Sequence, residues 1–180
     1  MGFQVINMFR NILIFLLIFS NFTYLSAETT RYDLEAAFVY KFIKFVEWPD
    51  SFEDEEYFDV CYTGSGEIQP SIKSLVDSEI KDLILKVKIV ENLSDLENCE
   101  LLFIDISSKD DRKKYLNYLY RKSVLTVSHF DGFTEEGGMI NLLLKDNRIH
   151  FEINIKSAEE SNIKVSSKLL RLANSVTASN

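Results

Sequence analysis

Residues 101–104 read Leu101-Leu102-Phe103-Ile104, a run of four apolar residues with no polar interruption. A strand with one solvated face alternates apolar and polar residues, whereas a strand covered on both faces is apolar throughout. The run therefore predicts a central strand of a sheet that carries helices on both of its faces.

The segments on either side of this run alternate between helical and strand patterns. Apolar residues recur every three or four positions over 31–46, which predicts a helix that ends at Trp48-Pro49. Ser108, followed three residues later by Asp111, predicts the start of a second helix that runs to about residue 120. The other expected elements are strands over 57–63, 83–90 and 124–127 and a helix with apolar positions 68, 72, 75 and 76.

The pattern changes in the C-terminal part of the chain. Two β-like runs, 139–144 and 148–154, are joined by Lys145-Asp146-Asn147, which indicates a hairpin. A final helix is expected over 167–176, with Ser166 or Ser167 as its N-cap. Its expected buried residues are Leu169, Leu170, Leu172, Ala173 and Val176. The predicted fold class is α/β: a single-domain mixed β-sheet of about five to six strands with helices on both faces, a C-terminal β-hairpin and a helix.

The N-terminal residues have the pattern of a secretory signal peptide. Ile12 to Phe19 is an unbroken apolar run, preceded by Arg10 and followed by polar residues. It is shorter than the roughly 20 apolar residues that a membrane-spanning helix needs. We expect residues 1–27 to be cleaved after Ala27 and residues 28–180 to form one domain. An uncleaved N-terminal anchor is the alternative, and Met8 is a second candidate start.

The charge balance argues against two classes of partner. The whole chain has 20 basic and 28 acidic residues and a formal charge of −8. Without residues 1–27 it keeps 19 basic residues and every acidic one, for a charge of −9. Nucleic acids and anionic membrane surfaces are bound by basic patches, so neither is expected as a partner.

Four separate segments, in their order and spacing, resemble the YfiR-like family of small periplasmic proteins. They read AAFVYKFIKFVEWP at 36–49, GGMINL at 137–142, FEIN at 151–154 and SSKLLRLA at 166–173. The resemblance spans almost all of residues 28–180 and implies an α/β fold and a location in the periplasm. It also implies regulation rather than catalysis, because the family is associated with repression of a membrane-bound diguanylate cyclase and with an outer-membrane lipoprotein that relieves the repression.

The chain has two cysteines, Cys61 and Cys99. In an oxidising compartment an even pair is most simply a disulfide, serving either as a structural staple or as a redox switch. The YfiR-like family carries a cysteine pair that matches these two positions. Some members have a second pair around the Gly-Gly segment, which this chain lacks.

Residues suited to catalysis are scarce. His129 and His150 are the two histidines, and no motif places either beside a nucleophile or enough metal ligands, so no enzyme activity, cofactor or metal is expected. Strand alternation puts Arg148, His150 and Glu152 on one face of the second hairpin strand, where they are candidate ligand-binding residues. The alternative is an ordinary solvated strand face. His129 is expected to be a loop residue rather than a base.

Three further features have a functional and a structural interpretation. The first helix and its end carry more aromatic bulk than one buried stripe needs: Phe38, Tyr40, Phe42, Phe45 and Trp48. Of these, Tyr40 and Trp48 are candidate partner-binding residues, beside the alternative of core packing. Gly64-Ser65-Gly66 follows a strand and precedes a helix, where it is expected to be a tight turn rather than an anion site. The acidic stretch 47–59 is expected to be a solvated loop.

Two classes of function remain open. The first is a periplasmic regulator whose partner is the periplasmic domain of an inner-membrane diguanylate cyclase or sensor kinase, with an outer-membrane lipoprotein and a second copy of the chain as further candidate partners. The second is a small-molecule-binding sensor domain with its ligand near Arg148 and His150. A neighbouring gene for a membrane cyclase or kinase would favour the first, and saturable binding of a small ligand would favour the second.

Overall fold

A computed structural model describes residues 30–49, 56–64, 66–80 and 82–178 of the chain. The predicted signal peptide and residues 50–55 of the acidic stretch lie outside the described residues. The helices are α1 (Arg31–Phe45), α2 (Gln69–Lys73), α3 (Lys109–Leu119), α4 (Ile155–Glu160) and α5 (Ser167–Leu172), with a 3₁₀ turn at Leu93–Leu96. The strands are β1 (Val46–Glu47), β2 (Tyr57–Gly64), β3 (Glu79–Ile80), β4 (Leu83–Ile89), β5 (Leu101–Asp105), β6 (Leu125–Ser128), β7 (Ile140–Lys145), β8 (Arg148–Asn154), β9 (Lys164–Val165) and β10 (Ser175–Thr177).

The main sheet has eight strands in the order β10-β8-β7-β6-β5-β2-β4-β3. Its centre is parallel, because β2 pairs in parallel with β4 and β5, and the parallel pairing continues through β6 to β7. The predicted hairpin is the antiparallel pair β7 and β8. The α/β class is confirmed, although the sheet has more strands than expected. The edge strands β3 and β10 have two and three residues, which is too short to produce a recognisable period of two.

The predicted central strand separates two apolar clusters. Leu101 to Ile104 are all fully buried in β5. Leu101 and Phe103 belong to the larger cluster, which contains residues of α1, α2, α4 and α5, whereas Leu102 and Ile104 belong to the smaller cluster with residues of α3 and the 3₁₀ turn. Alternate residues of a strand point to opposite faces, so helices cover both faces of the sheet as predicted.

Helix α1 has a defined start and end. At its N-terminus the Thr30 hydroxyl accepts from the Asp33 N–H, and the Asp33 carboxylate accepts from the Thr30 N–H at 2.9 Å, which forms a capping box. At its C-terminus Val46 is extended and pairs with Val165 of β9. The C-terminal end of α1 is thereby attached to β9, in the C-terminal part of the chain.

Cys61 in β2 and Cys99, just before β5, form a disulfide with a Cα–Cα distance of 5.9 Å. Both residues are buried in the smaller cluster. The bond closes a sequence separation of 38, for which chain entropy predicts a stabilisation of roughly 4 kcal/mol.

The expected final helix is correct only in its first half. It starts after the predicted N-cap Ser166 but ends at Leu172, and Ser175 to Thr177 form β10, parallel to β8. Residues 175–177 pair with the free edge of β8, and these backbone hydrogen bonds outweigh the preference for a helix that the apolar spacing predicts. As a result Leu172 and Val176, which the helical pattern predicted to be buried, are 61% and 46% exposed.

None of the helices in the described ranges is long and apolar enough to cross a membrane.

Candidate functional site

An apolar groove lies between α1 and the C-terminal segment, with a volume of about 230 Å³. We call it the C-terminal groove. Helix α1 contributes Phe38 and Phe45, β8 contributes Ile149, and α5 contributes Leu169 and Leu172. The turn from α5 into β10 leaves Leu172 exposed at the edge of the groove.

An aromatic cluster forms the floor of the C-terminal groove. The ring centroids of Phe38, Phe42 and Phe151 lie 5.3 to 6.0 Å apart in tilted and edge-to-face arrangements. Such geometries are the favourable ones for aromatic pairs. The floor is therefore a well-packed surface rather than a gap in the core.

Basic side chains border this apolar surface. The Lys41 ammonium lies 5.0 Å from the centroid of Phe38, and the Lys168 ammonium lies 4.9 Å from that of Phe45. Arg171 is exposed on α5, the helix that contributes Leu169 and Leu172. The groove thus has a cationic border in a chain whose formal charge is −8.

The two aromatic candidates, Tyr40 and Trp48, lie elsewhere and make internal contacts. The Tyr40 hydroxyl donates to the Glu79 carbonyl at 2.9 Å. The Trp48 indole N–H donates to the Glu100 carbonyl at 3.3 Å, and its ring packs edge-on against Phe58 at 4.9 Å. Both side chains are half-buried. A role in partner binding remains a prediction for each of them.

Of the three candidate ligand-binding residues, His150 lines the C-terminal groove. Its Nδ1 atom lies 2.8 Å from Oδ1 of Asn174, which lines the same groove. Arg148 is exposed at the hairpin, and Glu152 is half-buried beside Ser175 of β10. Neither is among the lining residues, so the structure does not bring all three into one pocket.

A second arrangement of polar residues lies at the carboxyl ends of the central strands. We call Glu35, Tyr62, Asp105 and His129 the switch-point network. His129 Nδ1 lies 2.8 Å from Glu35 Oε2, and its Nε2 lies 3.0 Å from Asp105 Oδ1. The Tyr62 hydroxyl donates to Asp105 Oδ2 at 3.1 Å and accepts from the Gly66 N–H.

The local backbone explains why these four side chains meet. Asp105 is the last residue of β5 and His129 directly follows β6, so both leave the same edge of the sheet. Gly64, at the end of β2, has a φ of 129°, and an added Cβ would lie 1.9 Å from the Asp105 carbonyl oxygen. Only glycine fits there, which is the close approach that places Tyr62 beside Asp105. Ser65, in the middle of the expected turn, lies outside the described residues.

The network carries charge in a buried setting. The side chains of Glu35 and Asp105 are 1% and 3% exposed, and Arg31 Nε donates to the other oxygen of Glu35 at 2.6 Å. Burial disfavours a charged His129, but its hydrogen bonds to the Asp105 and Glu35 carboxylates and the negative charges of these groups outweigh burial and raise the pKa of His129 to about 9. His129 is therefore protonated at neutral pH, between two carboxylates.

This geometry limits the chemistry that the network can perform. Both ring nitrogens of His129 are bonded to carboxylates, so neither is free to accept a proton from a substrate. Within the part of the chain that the structure describes, no three His, Cys, Asp or Glu side chains are arranged to hold a metal ion. The network links α1, through Glu35 and His129, to Asp105 at the end of β5.

Sequence reasoning missed this network. His129 does lie in a loop as predicted, but it is enclosed by Glu35 and Asp105, neither of which was singled out. One feature of the sequence could have indicated the pair: Asp105 and His129 each follow an apolar strand, and adjacent parallel strands end at the same edge. No pattern in the sequence indicates that Glu35 faces the same edge.

A family model described as YfiR/HmsC-like matches residues 32–174. No curated protein matches the chain. Among solved structures, the ABC domain in complex with L-Trp from Streptococcus pneumonia has 10% identity and a TM-score of 0.48, over 67% of this chain and 55% of the other. A conserved domain protein from Vibrio cholerae has 12% identity and a TM-score of 0.48, over 82% and 60%. The chain thus spans little more than half the length of these two structures, and at this level of likeness neither bears on its function.

Proposed function

The chain belongs to the YfiR/HmsC-like family, and on that premise we propose that it is a non-enzymatic periplasmic protein that binds and restrains an inner-membrane diguanylate cyclase. The observation that carries the proposal is the family match over residues 32–174, which includes α1 and the C-terminal segment. The family is associated with periplasmic regulation of such cyclases. An outer-membrane lipoprotein that relieves the restraint is the second partner that this function calls for.

The C-terminal groove is the surface that we assign to the cyclase. Leu172 is 61% exposed at its edge, and Phe38 and Phe45 are only half-buried. Aromatic residues in apolar pockets are the usual centres of binding energy in protein interfaces. A partner side chain inserted between Phe38, Phe45 and Leu172 would remove this surface from water.

The border of the groove defines the chemistry of the partner segment. Lys41, Lys168 and Arg171 favour acidic residues beside an apolar core. We therefore expect an amphipathic segment with Asp or Glu at its flanks, from the periplasmic domain of the cyclase. Binding would restrain the cyclase if the regulator has a higher affinity for its inactive state than for its active one.

A pull-down from the membranes of the native host tests this function. The bait is the chain from Glu28 with the Cys61–Cys99 bond intact, and the expected prey is an inner-membrane protein with a diguanylate cyclase domain. Recovery of a sensor kinase instead would keep a regulator but change its target. If a folded, oxidised bait retains no inner-membrane signalling protein, the regulatory function is wrong.

One observation favours a second candidate, a small-molecule sensor. His150 and Asn174 form a polar pair at the wall of a mainly apolar groove, which is the usual composition of a small-ligand pocket. Saturable binding of an aromatic or aliphatic compound that is lost in His150→Ala, and kept in the exposed control Lys145→Ala, would support this function. A compound that binds both variants equally would contradict it.

A further inference from the structure

Strand β4 lies near one end of the main sheet and is covered on its outer side over only part of its length. The edge strand β3 pairs with Leu83 and Ile84. Next along β4, the Leu85 N–H donates to the Ser78 carbonyl, just before β3, at 3.0 Å. Within the described ranges, no strand pairs with the outer side of residues 86–89. Four residues of β4 therefore form a free edge.

The hydrogen bonds between β4 and β2 show which backbone groups face this free edge. The N–H groups of Ile84 and Val90 donate to carbonyl groups in and next to β2, at 3.0 and 2.8 Å, so the even-numbered residues are directed at β2. Successive residues of a strand direct their N–H and C=O groups alternately to its two sides. Val87 and Ile89 therefore direct theirs outward.

Two lysines lie on the free edge, where a charge would ordinarily disfavour the approach of another strand. Both lean back over their own sheet. The Lys88 ammonium binds the Asp59 carboxylate of β2, and the Lys86 ammonium lies 3.1 Å from the ring centroid of Tyr57, which is also in β2. Neither lysine therefore projects across the free edge.

The side chains on the other face of the free edge are apolar. Val87 is half-buried against the larger cluster. Ile89, which alternation places on the same face, is 46% exposed. An exposed isoleucine beside outward-facing backbone groups is the combination that the addition of a further strand would cover.

We propose that β4 pairs in antiparallel orientation with β4 of a second copy of this chain, about a two-fold axis at Lys88. Val87 of each copy then lies opposite Ile89 of the other, and the two pairs exchange four backbone hydrogen bonds. The apolar side chains meet on one face of the sheet. On the other face the two Lys88 side chains lie beside the axis, and the two Asp59 carboxylates to which they are bonded balance their charge.

A second copy fits this edge because β4 is complementary to itself in this register. An axis at Val87 would instead set Lys86 opposite Lys88 at two places, which is unfavourable. A two-fold axis also closes the assembly at a dimer. Four residues from each copy bury less than the roughly 1,200 Å² of a stable interface, and each copy has a formal charge of −8, so the dimer is reversible.

Sedimentation equilibrium of the oxidised chain from Glu28 tests the proposal without the cyclase, so its outcome is independent of the proposed function. We expect a reversible monomer–dimer equilibrium at concentrations up to about 0.5 mM. Val87→Pro removes an outward N–H, a change that an edge strand tolerates, and should weaken the dimer at least about tenfold. Ile89→Lys should weaken it by a similar factor, because it places a charge in the apolar pair.

The matched control is Val176→Lys, since Val176 is also 46% exposed and lies on β10, the edge strand at the other end of the sheet. It should dimerise as the parent does. An equal loss in Val176→Lys would assign the association to another surface and overturn the proposal.

Circular dichroism checks that the variants are folded, and Ile89→Lys alone decides if Val87→Pro does not fold. A monomeric parent, or association equal to that of the parent in a folded Val87→Pro or Ile89→Lys, would overturn the proposal. A monomeric parent whose folded Val87→Pro variant loses binding to the cyclase domain would assign this edge to the cyclase instead.

Discussion

The C-terminal groove and the switch-point network share helix α1 but differ in how completely the chain itself buries them. The groove presents Phe38 and Phe45 beside an exposed Leu172, so its apolar surface is only partly covered by the chain itself. The network buries Glu35 and satisfies it with Arg31 and His129. The comparison teaches that folding satisfies the buried charges of the polar region, whereas it leaves part of the apolar region exposed to solvent.

One helix therefore connects the two regions. Glu35, in the first half of α1, is held by β5 and β6 through His129, and Phe38 to Phe45 follow on the same rigid segment. The position of the groove's α1 wall depends on the network. Substitutions and a change of pH test this dependence. Their expected effects on the free energy of unfolding fall from about 4 kcal/mol to nearly none.

The largest effect is expected from removing the disulfide, which lies in neither region. Cys61→Ala combined with Cys99→Ala should lower the free energy of unfolding by roughly 4 kcal/mol, measured by urea denaturation. The bond lies in the smaller cluster, on the other face of the sheet from α1, so partner binding by the folded variant should be unchanged. A folded double variant with altered partner binding would identify the bond as a redox switch.

Removal of the network's link to α1 is expected to have the next largest effect. Glu35→Ala leaves Arg31 and buried His129 without their common partner and should lower the free energy of unfolding by about 3 kcal/mol. Lys44→Ala, at an exposed position of the same helix, is the control and should change it by less than about 0.5 kcal/mol. Equal effects of the two substitutions would show that the network does not hold the helix.

A rise in pH should weaken the same link without any substitution. The pKa of His129 is raised from 6.5 to about 9 on folding, so its stabilisation is fully present below pH 6.5 and is lost as the pH rises through about 9. The charged groups that face it are Glu35, Asp105 and, through Glu35, Arg31. We expect a loss on the order of 2 kcal/mol between pH 6.5 and 10.

Denaturation curves of the parent and His129→Gln across this pH range measure the effect. The variant should be less stable at pH 6.5 and nearly independent of pH up to about 9. The same loss of stability in both proteins would assign the titration to another group.

Trp48→Ala tests whether the apolar binding surface extends beyond the groove. It removes the contact with Phe58 and the bond to Glu100, with an expected loss of about 1 to 2 kcal/mol in stability. We also expect it to weaken partner binding more than neutralising Glu53, Asp54, Glu55 and Glu56 as a set does; residues 53–55 lie outside the described residues. Binding equal to that of the parent, with the fold intact, would leave Trp48 a purely structural residue.

The buried part of the fold could be predicted from the sequence because apolar periodicity reports burial directly. Leu101 to Ile104 indicated a strand covered on both faces, and the capping residue Ser108 indicated the start of α3. The end of α5 could not be predicted in this way. Leu172 and Val176 follow a helical period, but the free edge of β8 decides their position, and that edge exists only in the folded sheet.

The C-terminal groove and the switch-point network also differ in how far the sequence predicts them. The aromatic excess of the first helix is evident in the sequence, but the two candidates that it indicates, Tyr40 and Trp48, make internal hydrogen bonds, whereas Phe38 and Phe45 line the groove. The network joins Glu35 and His129 across a sequence separation of 94. Such a contact depends on strand order, which local patterns do not contain.

The central claim is that the C-terminal groove binds a signalling partner, and the most direct test is the affinity of Leu172→Asp for the periplasmic domain of the cyclase. The matched control is Val76→Asp, since Val76 is also an exposed large apolar residue, at 43%, but lies outside the groove. We expect the free energy of unfolding of each variant to lie within about 0.5 kcal/mol of that of the parent. Leu172→Asp should bind the cyclase domain at least about tenfold more weakly, and Val76→Asp should bind it as the parent does. Equal affinity of Leu172→Asp and the parent would contradict the claim that this groove is the partner's site.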